Sequence, residues 1–277
     1  MRVCIGVVLY YPNSEDIERL KNYYAIFEDI YVFDNTPDKI MKLAFPINKV
    51  HYYNNQRNEG VAFALNFICN QAINDGYDFM ITLDQDSIIS NQDILEIKDF
   101  ISNNNMDEIG IVAPTIIYDH KKKKKIKKNN KVSFIKWTIT SGSAINLNLF
   151  KHTKGFDENY FIDRVDYDYC YLLKVNNKKI VRLSWVHLYQ KLGDTVGNHS
   201  EHNEIRNYYI FRNRIYYYNK YKKGLLKHVL IFCGSFKQIT KILIFEKDKR
   251  KKLRMCLKAF FDYKEGKMGK FNNYTYI

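Results

Sequence analysis

An α/β fold, a layered sheet flanked by helices, is predicted by three features of the 277-residue chain. Short apolar runs of strand length recur through roughly the first 110 residues, and helical-period segments separate them. Acids and amides stand where the apolar runs end. In such sheets ligands gather at the carboxyl ends of the strands, so those polar residues are the first candidates for a site.

The first run, Val3–Leu9, is nearly continuous, as expected of a strand covered on both faces. Asn13 or Ser14 can cap the helix that follows, which carries Ile17, Leu20 and Tyr24 at helical spacing. A second strand at 29–33 ends in Asp34-Asn35-Thr36. A third at 49–53 precedes a loop containing Asn58. Residues 60–73 form the next helix, with Val61, Ala64, Leu65 and Ile68 on one face, and 78–83 a strand running into Asp84-Gln85-Asp86-Ser87. Asp34 and Asp84 are thus expected near each other in space although fifty positions apart.

After 109–114 the pattern changes. Residues 115–118 and 132–137 are β-prone arms flanking a lysine run, which predicts a hairpin with a solvated tip at 121–128. Thr140-Ser141-Gly142-Ser143 opens another strand that ends near Leu147. Asp163 to Asp168 is an acidic helix start continuing to about Asn176, and 180–184 is a short strand. From Glu201 the chain is helical and aromatic, then helical and basic. No internal repeat is present.

Composition narrows the class. The 46% hydrophobic content is too high for a disordered chain, and the length excludes a disulfide-stapled miniprotein. Five widely spaced cysteines without a CxxC pair read as reduced thiols, mostly buried, in a cytosolic protein. The N-terminal run lacks a signal-peptide cleavage site. No stretch reaches about 18 uncharged apolar residues, so no transmembrane helix is expected and the protein is soluble or peripheral.

The formal charge of +14 is unevenly distributed. Between Lys220 and Lys270 there are sixteen Lys and Arg against four Asp and Glu, and between Lys121 and Lys131 eight Lys and no acid, leaving −6 on the remainder. Near-helical spacing of Leu225, Leu226, Val229, Leu230, Phe232 and Phe236, and then of Ile239, Ile242, Leu243 and Phe245, among lysines describes amphipathic helices. Such helices suit an anionic membrane interface, or simply pack their apolar face on the body. Lys247, Lys249, Arg250, Lys251, Lys252 and Arg254 form a second dense cluster. Nucleic acid is not the expected partner: there is no zinc-finger spacing, RNP-like signature or helix-turn-helix.

Two acidic motifs carry chemistry. Asp84-Gln85-Asp86, at the end of a buried strand, can share a Mg2+ or Mn2+ that also binds phosphate oxygens. Taken alone it also describes a solvated turn whose acids cap a helix. Asp166 and Asp168 either complement a helix dipole or supply a general base that deprotonates a sugar hydroxyl.

Five stretches in order, VVLYYPN, VFDNT, NEGVAFALNFICNQAINDGYDFMITLDQDS, TSGSAINLNLFKHTKGFDENYFIDRVDYDYC and YYIFRNRIYYY, resemble the inverting family 2 glycosyltransferases, most closely their rhamnosyltransferase branch. They span residue 3 to about 218. The resemblance implies a glycosyltransferase A fold, with a Rossmann-like nucleotide-binding half and a mixed central sheet, over 1–218, and a basic helical appendage over 219–277. It places Asp34 against the donor's base or ribose beside Leu9 and Tyr10, with Asn58 and Gly60 shaping that pocket. Asp84 and Asp86 would hold the metal, Asp86 being the better candidate for direct contact and Asp84 also facing the donor. Thr140, Ser141 and Gly142 would line the sugar and acceptor site, and Asp166 would be the base. Arg212 and Asn213 would approach the diphosphate, a task suited to a guanidinium fork, although Arg212 alone also reads as an ordinary helix-surface residue.

Two departures stand out. Leu9-Tyr10-Tyr11 replaces the family's Thr-Tyr-Asn, and Gln190 occupies the position of a later-loop His, with His187 nearby as a substitute or as a structural histidine. The implied activity is transfer, with inversion, of L-rhamnose from dTDP-L-rhamnose to a lipid-linked surface-polysaccharide precursor at the cytoplasmic face of the membrane. The alternatives are another hexose from a UDP-sugar, or a catalytically inactive basic module that binds membrane or nucleic acid.

Overall fold

A computed structural model describes residues 1–37, 48–118, 131–190, 195–196, 199–200 and 202–272. The described residues divide into two compact units: 1–157 with 166–191, and 158–165 with 192–277.

The first unit is built on a nine-stranded mixed sheet. Strand β1 (Val3–Leu9) lies centrally, parallel to β2 (Ile30–Asp34) on one side and to β4 (Phe79–Asp84) on the other; β3 (Val50–Tyr53) extends the parallel half beyond β2. Buried Val, Ile and Leu on both faces of β1 explain its continuous apolar run. Helix α1 (Ser14–Lys21) starts at Asn13, whose side chain accepts from the Asp16 amide while Asp16 caps the Asn13 amide in return. Helix α2 (Val61–Asn74) buries Ala64, Leu65 and Ile68 against this half.

Beyond β4 the sheet turns antiparallel through β8 (Ala144–Asn146) to β6 (Ile109–Tyr118), and β9 (Lys179–Gln190) runs parallel to β6. The expected hairpin is not formed. Strand β7 (Val132–Ile135) pairs with Ile180 to Leu183 of β9 instead of with β6, and β9 therefore separates the two arms. The β9 residues in this pairing are largely apolar and enclosed: Ile180, Val181 and Leu183 are buried. The lysine tip at 121–128 lies outside the described residues. The short strand expected at 180–184 is twelve residues long and reaches Gln190, where it pairs with β5 (Ser87–Ile89). Helix α3 (Asn91–Asn103), capped by Ser90, buries Ile94, Ile97 and Ile101.

The second unit comprises α6 (Glu204–Tyr221), α7 (Gly224–Phe245) and α8 (Lys249–Lys264), together with residues 158–165. Its core joins Tyr208, Tyr209, Phe211 and Ile215 of α6 to Ile242, Cys256 and Ala259. The boundary expected at 218 therefore moves upstream, because α6 shares its core with the two basic helices. Of the second basic cluster, Lys252 is buried and ion-paired with Glu246 (3.0 Å). Four of the five cysteines are buried thiols and Cys233 is exposed.

Helix α7 bears on the membrane expectation. It has 22 residues, and its most apolar 18-residue window has a mean hydropathy of 1.4, so by length and composition alone it is long and apolar enough to cross a membrane. Lys227, Lys237 and Lys241 break its apolar runs. Only 11% of that apolar window is buried, and Leu225, Phe232 and Phe236 are 78%, 69% and 63% exposed.

Candidate active site

Register explains how distant acids meet. In β1, Leu9 lies beside Asp34 of β2 and Val8 beside Asp84 of β4, so the ends of three parallel strands present both acids to one edge. Asp34 is fully buried, its Oδ1 accepting from the Thr36 amide (2.9 Å) and its Oδ2 from the Tyr52 hydroxyl (2.7 Å). Asn54 donates to the carbonyls of Asp34 and Thr36. Asn58 accepts from the Gly60 amide, forming the turn that starts α2, and Gly60 takes a φ of 89°.

Past β1 the chain is tied to the acid-x-acid loop: the Tyr10 amide donates to Gln85 Oε1 (2.7 Å), and Arg19 donates to the Gln85 carbonyl (3.0 Å). Tyr11 follows with a φ of 47°, its amide on Thr36 Oγ1. Tyr10 and Tyr11 are both exposed.

The 140–143 segment is a turn, not the opening of a strand. The Gly142 amide donates to the Thr82 carbonyl (2.7 Å), and Thr82 Oγ1 donates to the Thr140 carbonyl (2.7 Å). Gly142 has a φ of 73°, and a Cβ there would meet Leu188 at 2.7 Å, so only glycine closes this turn without displacement. Ser141 Oγ accepts from the Asp84 amide (3.0 Å) and donates to Ser87 Oγ (2.7 Å), bracing both ends of the acidic loop. The Thr140 amide donates to Asp166 Oδ1 (3.0 Å) at the start of α5 (Val165–Val175).

Three carboxyls therefore share one edge of the first unit. Enclosure by protein, and after it the neighbouring charges of Asp166 and then Asp86, push the Asp84 carboxyl up to about 7. Gln190 Nε2 lies 3.4 Å from Asp84 Oδ2, a long donor contact at the position where the family's His was expected. His187 is placed elsewhere, its amide on Asp93 Oδ1 (3.1 Å) and its Nδ1 4.0 Å from the same oxygen. Among the described residues no group of three or more His, Cys, Asp or Glu stands in ready-made metal-holding geometry.

Arg212 and Asn213 lie in the second unit and are both buried. The five donors of the guanidinium are engaged internally, on Asn213 Oδ1, the Tyr208 hydroxyl and the carbonyls of Asn159, Lys267 and Gly269. In this arrangement none is spare for a diphosphate. Asn213 donates to the carbonyls of Tyr160, Ile162 and Asp163, holding a segment in which Phe161, Asp163 and Arg164 take positive φ. That segment leads directly into α5.

These geometries stand beside three likenesses. The family model for Glycosyl transferase family 2 matches residues 15–172, more than half of the chain. The chain belongs to glycosyl transferase family 2. Among curated proteins it is similar to the dTDP-rhamnosyl transferase RfbF of Shigella flexneri, at 26% identity over 289 residues covering 92% of this chain and 93% of that protein. Among solved structures it is similar to GalNAc-T7 crystallised with UDP, GalNAc and Mn2+, with a TM-score of 0.59 and 12% identity over 78% of this chain. The chain spans about half (51%) of that structure's length, and the likeness is one of fold. The fold is glycosyltransferase A-like, and the protein is a rhamnosyltransferase-like, nucleotide-sugar-dependent glycosyltransferase of family 2.

Proposed function

We propose that this family 2 enzyme transfers L-rhamnose from dTDP-L-rhamnose, with inversion, to a saccharide acceptor on a lipid carrier. The observation that carries the reading is the convergence of Asp84, Asp86 and Asp166 at one sheet edge. The donor follows from likeness to a dTDP-rhamnosyl transferase along nearly the whole chain.

Asp84 and Asp86 fit a hard divalent cation: the donor set is all oxygen, and burial followed by the neighbouring acids pushes the Asp84 carboxyl toward neutrality. These two residues would hold the ion. When bound, Mg2+ or Mn2+ supplies positive charge against the phosphate oxygens of the departing nucleotide. Leu9, Tyr10, Asp34, Asn58 and Gly60 form the nucleoside side of the site, and Thr140, Ser141 and Gly142 its sugar side. Asp166, oriented by the Thr140 amide, takes the proton of the acceptor hydroxyl as that oxygen attacks the anomeric carbon. The bond from that carbon to the phosphate oxygen breaks, and its electron pair leaves with dTDP.

The test is thermal stabilisation and turnover across dTDP-rhamnose, UDP-glucose, UDP-galactose and UDP-GlcNAc, with Mn2+ or with chelator. At about 100 times its Kd a true donor stabilises by about 2.7 kcal/mol. Stabilisation by dTDP-rhamnose that chelator abolishes is expected; response to a UDP-sugar alone would overturn the donor assignment.

The lipid-linked acceptor and a position at the cytoplasmic membrane face are supported by α7. Its Leu225, Val229, Phe232 and Phe236 form an exposed stripe at helical spacing. On another side Gln238 and Ile242 are buried, Gln238 donating to the Asn207 carbonyl (3.0 Å). A helix seated on protein along one side and apolar along another suits the membrane interface, with lysines drawn to anionic headgroups. Removing everything beyond 221 would strip the core of the second unit, so point substitutions are the cleaner probe. Phe232→Asp with Phe236→Asp is expected to lower co-sedimentation with phosphatidylglycerol vesicles at least about tenfold, each buried Phe being worth on the order of 1.5–3 kcal/mol. Unchanged sedimentation, or a concentration-dependent dimer lost in the variant, would sink the membrane reading.

A further inference from the structure

We infer that Trp137 and Tyr167 form a stacking platform for a pyranose ring of the acceptor saccharide, beside the Asp166 carboxyl. The inference rests on the reading of Asp166 as the base. The two rings are stacked, with centroids 4.8 Å apart and planes 18° from parallel, yet they remain 46% and 41% exposed. Large aromatic surface held flat and open to water has a ligand-binding explanation where it adjoins reactive groups. Tyr167 directly follows Asp166 in the first turn of α5.

Trp137 is held in place by the segment that follows it. The Thr138 amide donates to Cys170 Sγ (3.5 Å), that thiol donates back to the Thr138 carbonyl, and the Thr140 amide reaches Asp166. Residues 137–140 therefore run along α5, and the Trp137 ring does not rest on a loose loop. Tyr118, 45% exposed at the end of β6, completes the patch: its phenol is raised by burial and then by the neighbouring Tyr167 and Asp166. Tyr118 is also in register with Gln190, which reaches Asp84.

The occupant follows from chemistry and position. A pyranose offers an apolar face of C–H groups, which pairs with the negative face of an aromatic ring. The hydroxyl that Asp166 deprotonates belongs to the acceptor, so the ring bearing it lies next to this base. The nucleoside side of the site is elsewhere in the sheet: Asp34 is on β2, whereas Tyr118 and the strand preceding Trp137 lie beyond β8, on the other side of β4.

The chain has two tryptophans, so in a Trp185→Phe background Trp137 alone reports by fluorescence. Methyl rhamnoside, glucoside, galactoside and N-acetylglucosaminide would each be titrated with dTDP and Mn2+ present. We expect at least one to change the emission saturably. Tyr167→Ala should then weaken its binding about tenfold, Tyr167→Phe should restore it, and dTDP affinity should stay unchanged. No saturable change with any pyranoside would overturn the proposal, as would equal affinity in Tyr167→Ala. Competition by dTDP alone would assign the rings to the nucleobase and overturn it too. The binding readout needs no turnover: if Asp166→Asn leaves transfer intact, the base assignment fails separately, while the titration still decides the platform.

Discussion

Asp166→Asn is expected to lower kcat by about 10²–10⁴-fold, the range for loss of a positioned general base, with fold and donor affinity retained. The substitution is nearly isosteric. The Thr140 amide can still donate to the side-chain oxygen it meets now, so the start of α5 keeps its anchor. What disappears is the capacity to take up the proton from the attacking hydroxyl. The amide also removes one of the two charges that raise Asp84, so metal affinity should change only modestly beside the loss of rate. Single-turnover transfer, read alongside dTDP binding and the unfolding midpoint, separates these outcomes. Wild-type transfer by the Asn variant would move the base elsewhere or return the protein to the class of inactive binding modules. A matched loss of stability and rate would reduce Asp166 to a structural anchor.

The parallel half of the sheet was legible because its information is local. Val3–Leu9 reads as a buried strand from its own residues, and the adjacency of Asp34 and Asp84 follows from two strands flanking a third. Asn13 reads as a cap because a capping box lies within four positions. Helix α3, absent from the sequence reading, carries a local signal of the same kind in Ser90 and the spacing of Ile94, Ile97 and Ile101.

Other features depend on partners that no local pattern names. Adjacency in sequence suggests a hairpin of β6 and β7, but the partner of β7 is β9, nearly fifty residues on. Arg212-Asn213 is conspicuous as a pair, but its role depends on carbonyls at 159–163 and 267–269, brought in by tertiary packing. The same holds for Trp137 and Tyr167, whose stacking joins positions thirty residues apart. The acids of the site could be read individually, whereas the surfaces around them could not.

Asp84→Asn is expected to act in opposite directions on activity and on metal-free stability. In the folded protein the Asp84 carboxyl is raised from an ordinary 3.8 to about 7, mainly by enclosure and then by Asp166 and Asp86. A carboxyl that holds its proton more tightly when folded favours folding at low pH. The stability it lends is complete below the unfolded value near 4 and declines as pH rises toward 7. Above that, the ionised group opposes folding, by at most a few kcal/mol since each unit is worth about 1.4 kcal/mol. Asparagine removes that opposition while keeping an oxygen for Gln190. In chelator at pH 8 the variant should therefore melt higher than the wild type, and the difference should shrink toward pH 4. Added Mn2+ should raise the wild-type midpoint much more than the variant's, because the charge that strains the empty fold is the charge that would hold the ion. Transfer should fall at least about a hundredfold with that ligand gone. A variant that melts lower than wild type in chelator would show that Asp84 is compensated by the protein itself. Equal stabilisation of both by Mn2+ would place the ion away from the acid-x-acid loop.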